Sequence, residues 1–279
     1  MKLDKKELDR IISEALREDI GSGDVTTNLI VPRTTVSKAF MIAKADGIIA
    51  GLPIAKAVFK KLDKEIIWKS LVKEGEHVSA GTEIVLLKGS YRSLLIGERT
   101  ALNFLQRISG IATTTSKYVD RLEGLNTVIL DTRKTAPGLR MLDKYGVKMG
   151  GGTNHRIGLY DMVLIKDNHI KAAGGIIEAV MQIKNNLKRK IKIEVEATNL
   201  DEVKLALNAG VDIIMLDNMS LKQMREAVNL IGGKVKVEAS GGVNLNAVRA
   251  IAETCVDFIS VGALTHSVKA LDISMNFKN

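Results

Sequence analysis

The chain has 279 residues, 46% of them hydrophobic, enough to bury a substantial core in one large or two medium domains. Its single cysteine, Cys255, excludes an internal disulfide, and the surrounding IAETCVDFIS makes it a small buried filler rather than a nucleophile. A net charge of +9 suits nucleic acid or small anions, but aromatics at 4% and scattered lysines leave little to stack bases on, which favours small anions and no nucleic acid.

The opening MKLDKKELDR lacks the apolar stretch of a signal peptide, and no apolar run is long enough to cross a bilayer, so a cytosolic protein without a membrane partner is expected. In LDKKELDRIISEALREDI, Leu8, Ile11, Ile12, Ala15 and Leu16 recur at helical spacing, and the helix should stop at Gly21. VSKAFMIAKADGIIAGL then alternates and carries Asp46-Gly47, a two-residue hairpin signal. In VKEGEHVSAGTEIVLLKG, Gly75, Gly81 and Gly89 punctuate short β-branched runs. That pattern resembles the small sheet domains that carry biotin or lipoyl groups, in architecture only, since no modifiable lysine sits in their motif.

A helix is expected over Ser93 to Ile108, with Leu94, Leu95, Leu102 and Leu105 on its apolar side. Glu98 and Arg99 interrupt that side, so each must be paired, exposed at an interface, or aimed into a cleft; a mutual or nearby ion pair is the simplest account. The first hundred or so residues thus form an α+β domain.

From Asn126 the rhythm changes to short apolar runs, TVILDT, DMVLIKD, IKIEVEA, DIIMLDN, KVKVEAS and DFISVG, separated by helical stretches. NLDEVKLALNAG is representative: Asn199 can cap, Glu202 holds the capping-box position, Val203, Leu205, Ala206 and Leu207 give an apolar side, and Gly210 ends it. Repeated βα units with nearly apolar strands predict a parallel sheet covered by helices, closed into a barrel or left open. In both architectures ligands gather at the carboxyl ends of the strands.

Those ends read Asp131-Thr132-Arg133-Lys134, Lys166-Asp167, Glu196, Asp217-Asn218, Ser240-Gly241-Gly242 and Gly262. Cations, acids and then glycines suit a ligand with several negative charges and a divalent cation. Taken singly, Lys166 with Glu196 or Asp217 could equally close the barrel top as ion pairs. EASGGVN and SVGAL resemble the phosphate cup at the last strands of many barrels, where backbone amides and a helix start receive an anion. Gly150 to Gly152, feeding His155 and Arg156, suggest a flexible lid or a close approach to ligand. His155 has no second histidine at zinc-ligand spacing, and His169 is most simply a polar residue at a helix start.

GERTALNFLQRISGIAT, LDTRKTAPGLR, GGGTNHRIGLYDMVLIKDNHI, EVEA, MLDN and EASGGV, in that order, resemble the quinolinate phosphoribosyltransferase family over nearly the whole chain. The resemblance implies an α/β protein with an N-terminal sandwich, residues 1–108, and a TIM-like barrel of seven strands, residues 109–279, the last residues free to return to the first domain. Only six strands are legible, and the seventh is expected near YGVKMGG. It also implies a homodimer or a multiple of dimers.

The family's reaction joins quinolinate to phosphoribosyl pyrophosphate with Mg²⁺, releasing pyrophosphate and carbon dioxide and leaving nicotinate mononucleotide for NAD synthesis. Carried onto this sequence, Arg133 and Arg156, with His155 and Lys166, resemble the cluster that holds the dicarboxylate, Thr132 is a further substrate-binding residue, and Arg99 resembles the arginine lent by a neighbouring subunit. Lys134 resembles the lysine near the ribose phosphates. Glu196 and Asp217 resemble the acids that take the ribose hydroxyls or the metal. Ser240, Gly241, Gly242 and Gly262 would hold the 5′-phosphate, and Lys134, Lys166, Glu196 and Asp217 would serve catalysis. A related barrel acting on another anionic ring, or a basic RNA-binding barrel, are the alternatives.

Overall fold

A computed structural model describes residues 3–278. Its elements in chain order are α1 (Lys5–Ile20), α2 (Val25–Ile30), β1 (Val36–Ala43), β2 (Gly47–Ile49), α3 (Leu52–Leu62), β3 (Ile67–Ser70), β4 (Glu76–Val78), β5 (Glu83–Ser90), α4 (Tyr91–Asp120), β6 (Val128–Leu130) and α5 (Arg140–Met149). They continue with β7 (Val163–Ile165), α6 (Asp167–Ala173), α7 (Ile176–Asn186), β8 (Ile193–Ala197), α8 (Leu200–Asn208), β9 (Ile213–Asp217), α9 (Leu221–Ile231), β10 (Lys236–Ser240), α10 (Val248–Ala252), β11 (Phe258–Ser260), α11 (Ala263–His266) and β12 (Ile273–Lys278). Among the described residues no helix is long and apolar enough to cross a membrane.

The chain divides into two compact units. The first holds the chain up to Ser116, the segment Thr135–Gly151, and everything from Leu264 on; the second holds Lys117–Lys134 and Gly152–Ala263. The expected boundary after residue 108 falls inside α4, which runs on to Asp120. Sequence periodicity fades at Ser109, Gly110 and the threonines that follow, which are poor helix formers. Here Thr113 and Thr115 donate back to the Ser109 and Ile111 carbonyls, and the Ser109 hydroxyl accepts from the Ala50 amide. With those hydroxyls satisfied, the helix runs on.

In the first unit α1 starts at Asp4, whose carboxylate accepts the Glu7 amide at 2.8 Å, and ends at Gly21 with φ 51°. Its Ile11, Ile12 and Leu16 join a single apolar core with Phe59, Val58 and Leu105. The main sheet has the order β12-β1-β5-β3, all antiparallel. The hairpin expected at Asp46-Gly47 does not form: β2 pairs with β4, and β1 pairs with β12 and β5. The Asp46 carboxylate instead accepts the Ala80 amide. A strand from the far end of the chain outcompetes the local turn.

The glycine run feeding His155 also behaves differently from a lid. A Cβ on Gly150 would lie 2.3 Å from the Ala112 carbonyl and 2.7 Å from the Thr115 Cβ, so this residue is bare because α5 ends against α4. Gly150→Ala should lower the unfolding free energy by about 2 kcal/mol through overpacking. A urea titration would show it as a lower midpoint at unchanged slope. An unchanged midpoint with altered substrate affinity would make the run a hinge instead.

The second unit is a parallel sheet in the order β6-β11-β10-β9-β8-β7 with helices between the strands. This is the expected TIM-like architecture. The seventh strand is not at YGVKMGG, whose first five residues lie in α5; that helix is buried all round from Leu142 to Val147, so no one-sided helical pattern marks it in the sequence. A rudimentary stave follows it. Thr153 makes a parallel bridge to Leu130, its amide donating to Ile129 and its carbonyl accepting from Asp131. One residue of pairing is too short to carry a periodic signal.

Cys255 is exposed and has φ 68°, so it caps a turn rather than filling the core. The α8 reading is close: Asn199 accepts the Glu202 amide and Val203 and Ala206 are buried, but Leu205 is exposed. Glu202 reaches one residue further back than a capping box requires, to the Thr198 amide.

Candidate active site

Register decides which side chains share a face. Glu196 sits opposite Met215, Met215 opposite Glu238, and Asp217 opposite Ser240. Since side chains alternate along a strand, Glu194, Glu196, Asp217, Glu238 and Ser240 all lie on one face. The other face presents Val195, Ile214, Leu216, Val237, Ala239 and Ile259, all buried. Strands that read as nearly apolar thus carry their charged residues on one face only, mixed there with Ile213 and Met215.

At the end of β6, Asp131 is fully buried and accepts the Asn154 amide group at 2.6 Å and the His155 backbone N–H at 2.9 Å. It anchors the segment entering the site. Thr132 accepts the Lys134 amide at 3.1 Å, turning the chain so that Arg133 is half-buried and Lys134 exposed. Asp161 accepts the Ile157 and Gly158 amides, folding the turn after Arg156.

Arg156 is half-buried and donates through Nη1 to the Met162 carbonyl at 3.2 Å. Burial lowers its pKa, and the positive charge of Arg133 lowers it further, with Glu194 and Asp161 opposing. The charge of Arg133 is thus near enough to be felt at Arg156.

The sequence reading placed His155 among the ligand-facing cations, and the ring is turned elsewhere. Its Nε2 lies 3.1 Å from Glu194 Oε2 and 3.4 Å from Glu238 Oε2, and Nδ1 accepts the Arg156 amide at 2.8 Å. Burial works against charge on the ring, but the two glutamates outweigh it and hold its pKa up at about 9. The Arg156 N–H faces Nδ1, so this bond forms only while Nδ1 is unprotonated, and the charge that the glutamates favour on the ring competes with it. Burial is the main cause that pushes Glu194 up to about 7, opposed by His155 and reinforced by the charge of Glu238.

Glu194 and Glu238 lie inside their apolar runs rather than at the strand ends where ligands gather, so the ends alone do not point to them. Period-two alternation was the available signal: in IEVEA, Glu194 must share a face with Glu196.

Lys166 meets Glu196 at 3.0 Å, the ion pair that was the plain alternative for these residues. The Lys166 amide donates to His169 Nδ1, which places His169 in the first turn of α6. Asp217 accepts the Asn218 side-chain amide at 2.8 Å. Gly241, at φ 95°, must stay bare, since a Cβ would lie 2.1 Å from Asn218 Oδ1; Gly242 is also left-handed, at φ 61°. Ser240, Gly241 and Gly242 therefore continue β10 as a tight turn beside Asp217 and Asn218. Gly262 follows β11 and precedes α11.

Among the described residues two places offer metal ligands. His155, Glu194 and Glu238 bring their ligand atoms within 4.8 Å of one another. Glu196 and Asp217 are oxygen donors on neighbouring strands and one face, a set suited to a hard cation.

Arg99 is exposed on α4, in the first unit, and Glu98 beside it is half-buried. Burial raises the Glu98 pKa and Arg99 partly offsets it.

Sequence models of two domain families match nearly end to end: quinolinate phosphoribosyl transferase N-terminal domain over residues 24–109 and its C-terminal domain over 111–276. The chloroplastic nicotinate-nucleotide pyrophosphorylase (carboxylating) of Arabidopsis thaliana is 44% identical over 96% of this chain and 82% of its own. The solved nicotinate-nucleotide pyrophosphorylase from Francisella tularensis is 45% identical with a TM-score of 0.95, covering 99% of this chain and 98% of that one. NadC from Streptococcus pyogenes is 40% identical with a TM-score of 0.96 and covers all of both chains.

Proposed function

The chain belongs to the quinolinate phosphoribosyl transferase family, pentosyltransferases of NAD biosynthesis, and we propose that the rim of its parallel sheet holds quinolinate between Arg133 and Arg156. The observation that carries this reading is that Arg133, just past β6, and Arg156, in the segment that Asp131 anchors, are both half-buried beside the carboxyl end of one strand, near enough for the charge of Arg133 to bear on Arg156. Each can grip a carboxylate through two parallel hydrogen bonds, which matches two adjacent carboxylates on a rigid ring. Nicotinate would leave one cation unpaired, a loss of about 2 to 5 kcal/mol in a dry site.

Lys134 lies beside the departing pyrophosphate and offsets its growing charge. The ring nitrogen attacks the ribose carbon as the bond to pyrophosphate breaks. The pyridinium so formed accepts the electron pair left when the neighbouring carboxylate departs as carbon dioxide, and that carbon then needs one proton. Lys166, paired with Glu196 on the same rim, is the donor we assign. Ser240, Gly241, Gly242 and Gly262 receive the 5′-phosphate, where backbone amides can approach without a Cβ in the way. Glu196 and Asp217 would hold Mg²⁺ or the ribose hydroxyls; the ion, when bound, neutralises charge on pyrophosphate.

The working enzyme is a homodimer, or a multiple of it, in which Arg99 serves the neighbour's site. Supporting this, α2 exposes Val25 (70%), Leu29 (82%) and Ile30 (73%), although Arg92 ties the helix down through the Asn28 and Val31 carbonyls. The test is release of labelled carbon dioxide from quinolinate, dependent on phosphoribosyl pyrophosphate and Mg²⁺. No release, or equal turnover of nicotinate, overturns the reading. Mixing Arg99→Ala with Arg133→Ala should restore activity through hybrid dimers that keep one intact site; no recovery would place Arg99 outside the site.

A further inference from the structure

We propose that Glu194 and Glu238 are positioning residues for quinolinate, acting through His155 on Arg156. The proposal rests on the reading of Arg133 and Arg156 as the dicarboxylate clamp. Both glutamates are fully buried on the polar face of the parallel sheet, on β8 and β10, below the rim residues Glu196 and Ser240. Neither can meet a substrate directly. What they meet is the His155 ring, whose side chain is 8% exposed and whose Nε2 lies 3.1 Å from one carboxylate and 3.4 Å from the other.

The ring passes that constraint on. Its Nδ1 accepts the Arg156 amide at 2.8 Å, so the plane of the imidazole sets where the Arg156 backbone stands. The His155 amide is itself tied to Asp131 at 2.9 Å. Arg156 is therefore held at its root by a relay running Glu194 to His155 to its own backbone, and at its tip by the Met162 carbonyl. Glu194 also favours the Arg156 charge, against burial and Arg133. A guanidinium facing another of its kind would otherwise swing away toward solvent and lose the fork geometry a dicarboxylate needs.

Stability does not account for these groups. Two buried carboxylates on one histidine carry a desolvation cost, and apolar replacements of buried charged clusters are often neutral or stabilising. The arrangement makes sense if orientation is what they supply.

The test compares Glu194→Leu, Glu194→Gln and Glu238→Leu with the unaltered enzyme, with Mg²⁺ present and each substrate varied in turn. Glu194→Leu should raise the KM for quinolinate about tenfold, while the KM for phosphoribosyl pyrophosphate stays within about twofold. Its thermal midpoint should change little, because Glu238 still pairs with the His155 ring. Glu194→Gln keeps an acceptor for Nε2–H and should recover most of the quinolinate affinity, and Glu238→Leu should behave like Glu194→Leu to a smaller degree. Both KM values moving together with a lowered midpoint would mean a merely structural role and overturn the proposal. So would an unchanged quinolinate KM. Failure of the unaltered enzyme to use quinolinate would instead bring down the clamp reading, and this proposal with it.

Discussion

Arg156→Met should cut kcat/KM for quinolinate by about 10²- to 10³-fold, because a bidentate carboxylate partner worth about 2 to 5 kcal/mol disappears from a partly dry site. The same change should leave the thermal midpoint of the ligand-free protein unchanged or raised. In the free protein both burial and Arg133 disfavour the Arg156 charge. Against that relief stands one hydrogen bond to the Met162 carbonyl, about 1 kcal/mol. Loss of function without loss of stability is the signature of a site held ready for an anion. Steady-state kinetics paired with thermal unfolding would check it. A fall in activity that only tracks a lower midpoint would remove Arg156 from the binding site.

The second large effect concerns the first unit. Asp143, fully buried on α5, receives Arg107 Nε at 2.8 Å and Nη2 at 2.9 Å, and it also accepts the Ala136 amide at 3.0 Å. Arg107 keeps 28% of its side chain exposed, so solvent screens part of the charge left behind. Asp143→Ala should then cost nearer 3 than 5 kcal/mol of unfolding free energy, the lower end for breaking a buried pair. Asp143→Asn, which retains an acceptor for the Ala136 amide, should fall between. Urea unfolding would measure both, and a loss below about 1 kcal/mol for the alanine variant would show that the pair contributes little.

Much of this protein was legible because its signals are local. Asp4 and Gly21 bracket α1 by capping alone, and Asn199 starts α8 in the same way. The succession of apolar runs and helical stretches after Asn126 specified parallel βα units, since strands buried on the helix side must be apolar there. The polar residues ending those runs mark the rim where ligands are expected, since ligands of such folds gather at the carboxyl ends of the strands.

Chain order and periodicity could not choose between partners distant in sequence. Asp46-Gly47 has the chemistry of a hairpin, yet β1 pairs with β12, more than two hundred residues away, because that pairing completes a sheet over the core. The glycines before His155 suggest a lid or a close approach to ligand, and only the approach of α5 to the Ala112 carbonyl shows Gly150 to be a packing contact. His155 looked like a ligand, and its ring faces Glu194 and Glu238.

The amino-acid sequence by itself determined the βα architecture, the family resemblance and the cations at the strand ends, since these depend on spacing within a few residues. Only the tertiary structure decided which of those groups face one another. Register between strands and the burial of two glutamates arise from contacts far apart in the chain, and hydrogen bonding and desolvation act on what is near in space.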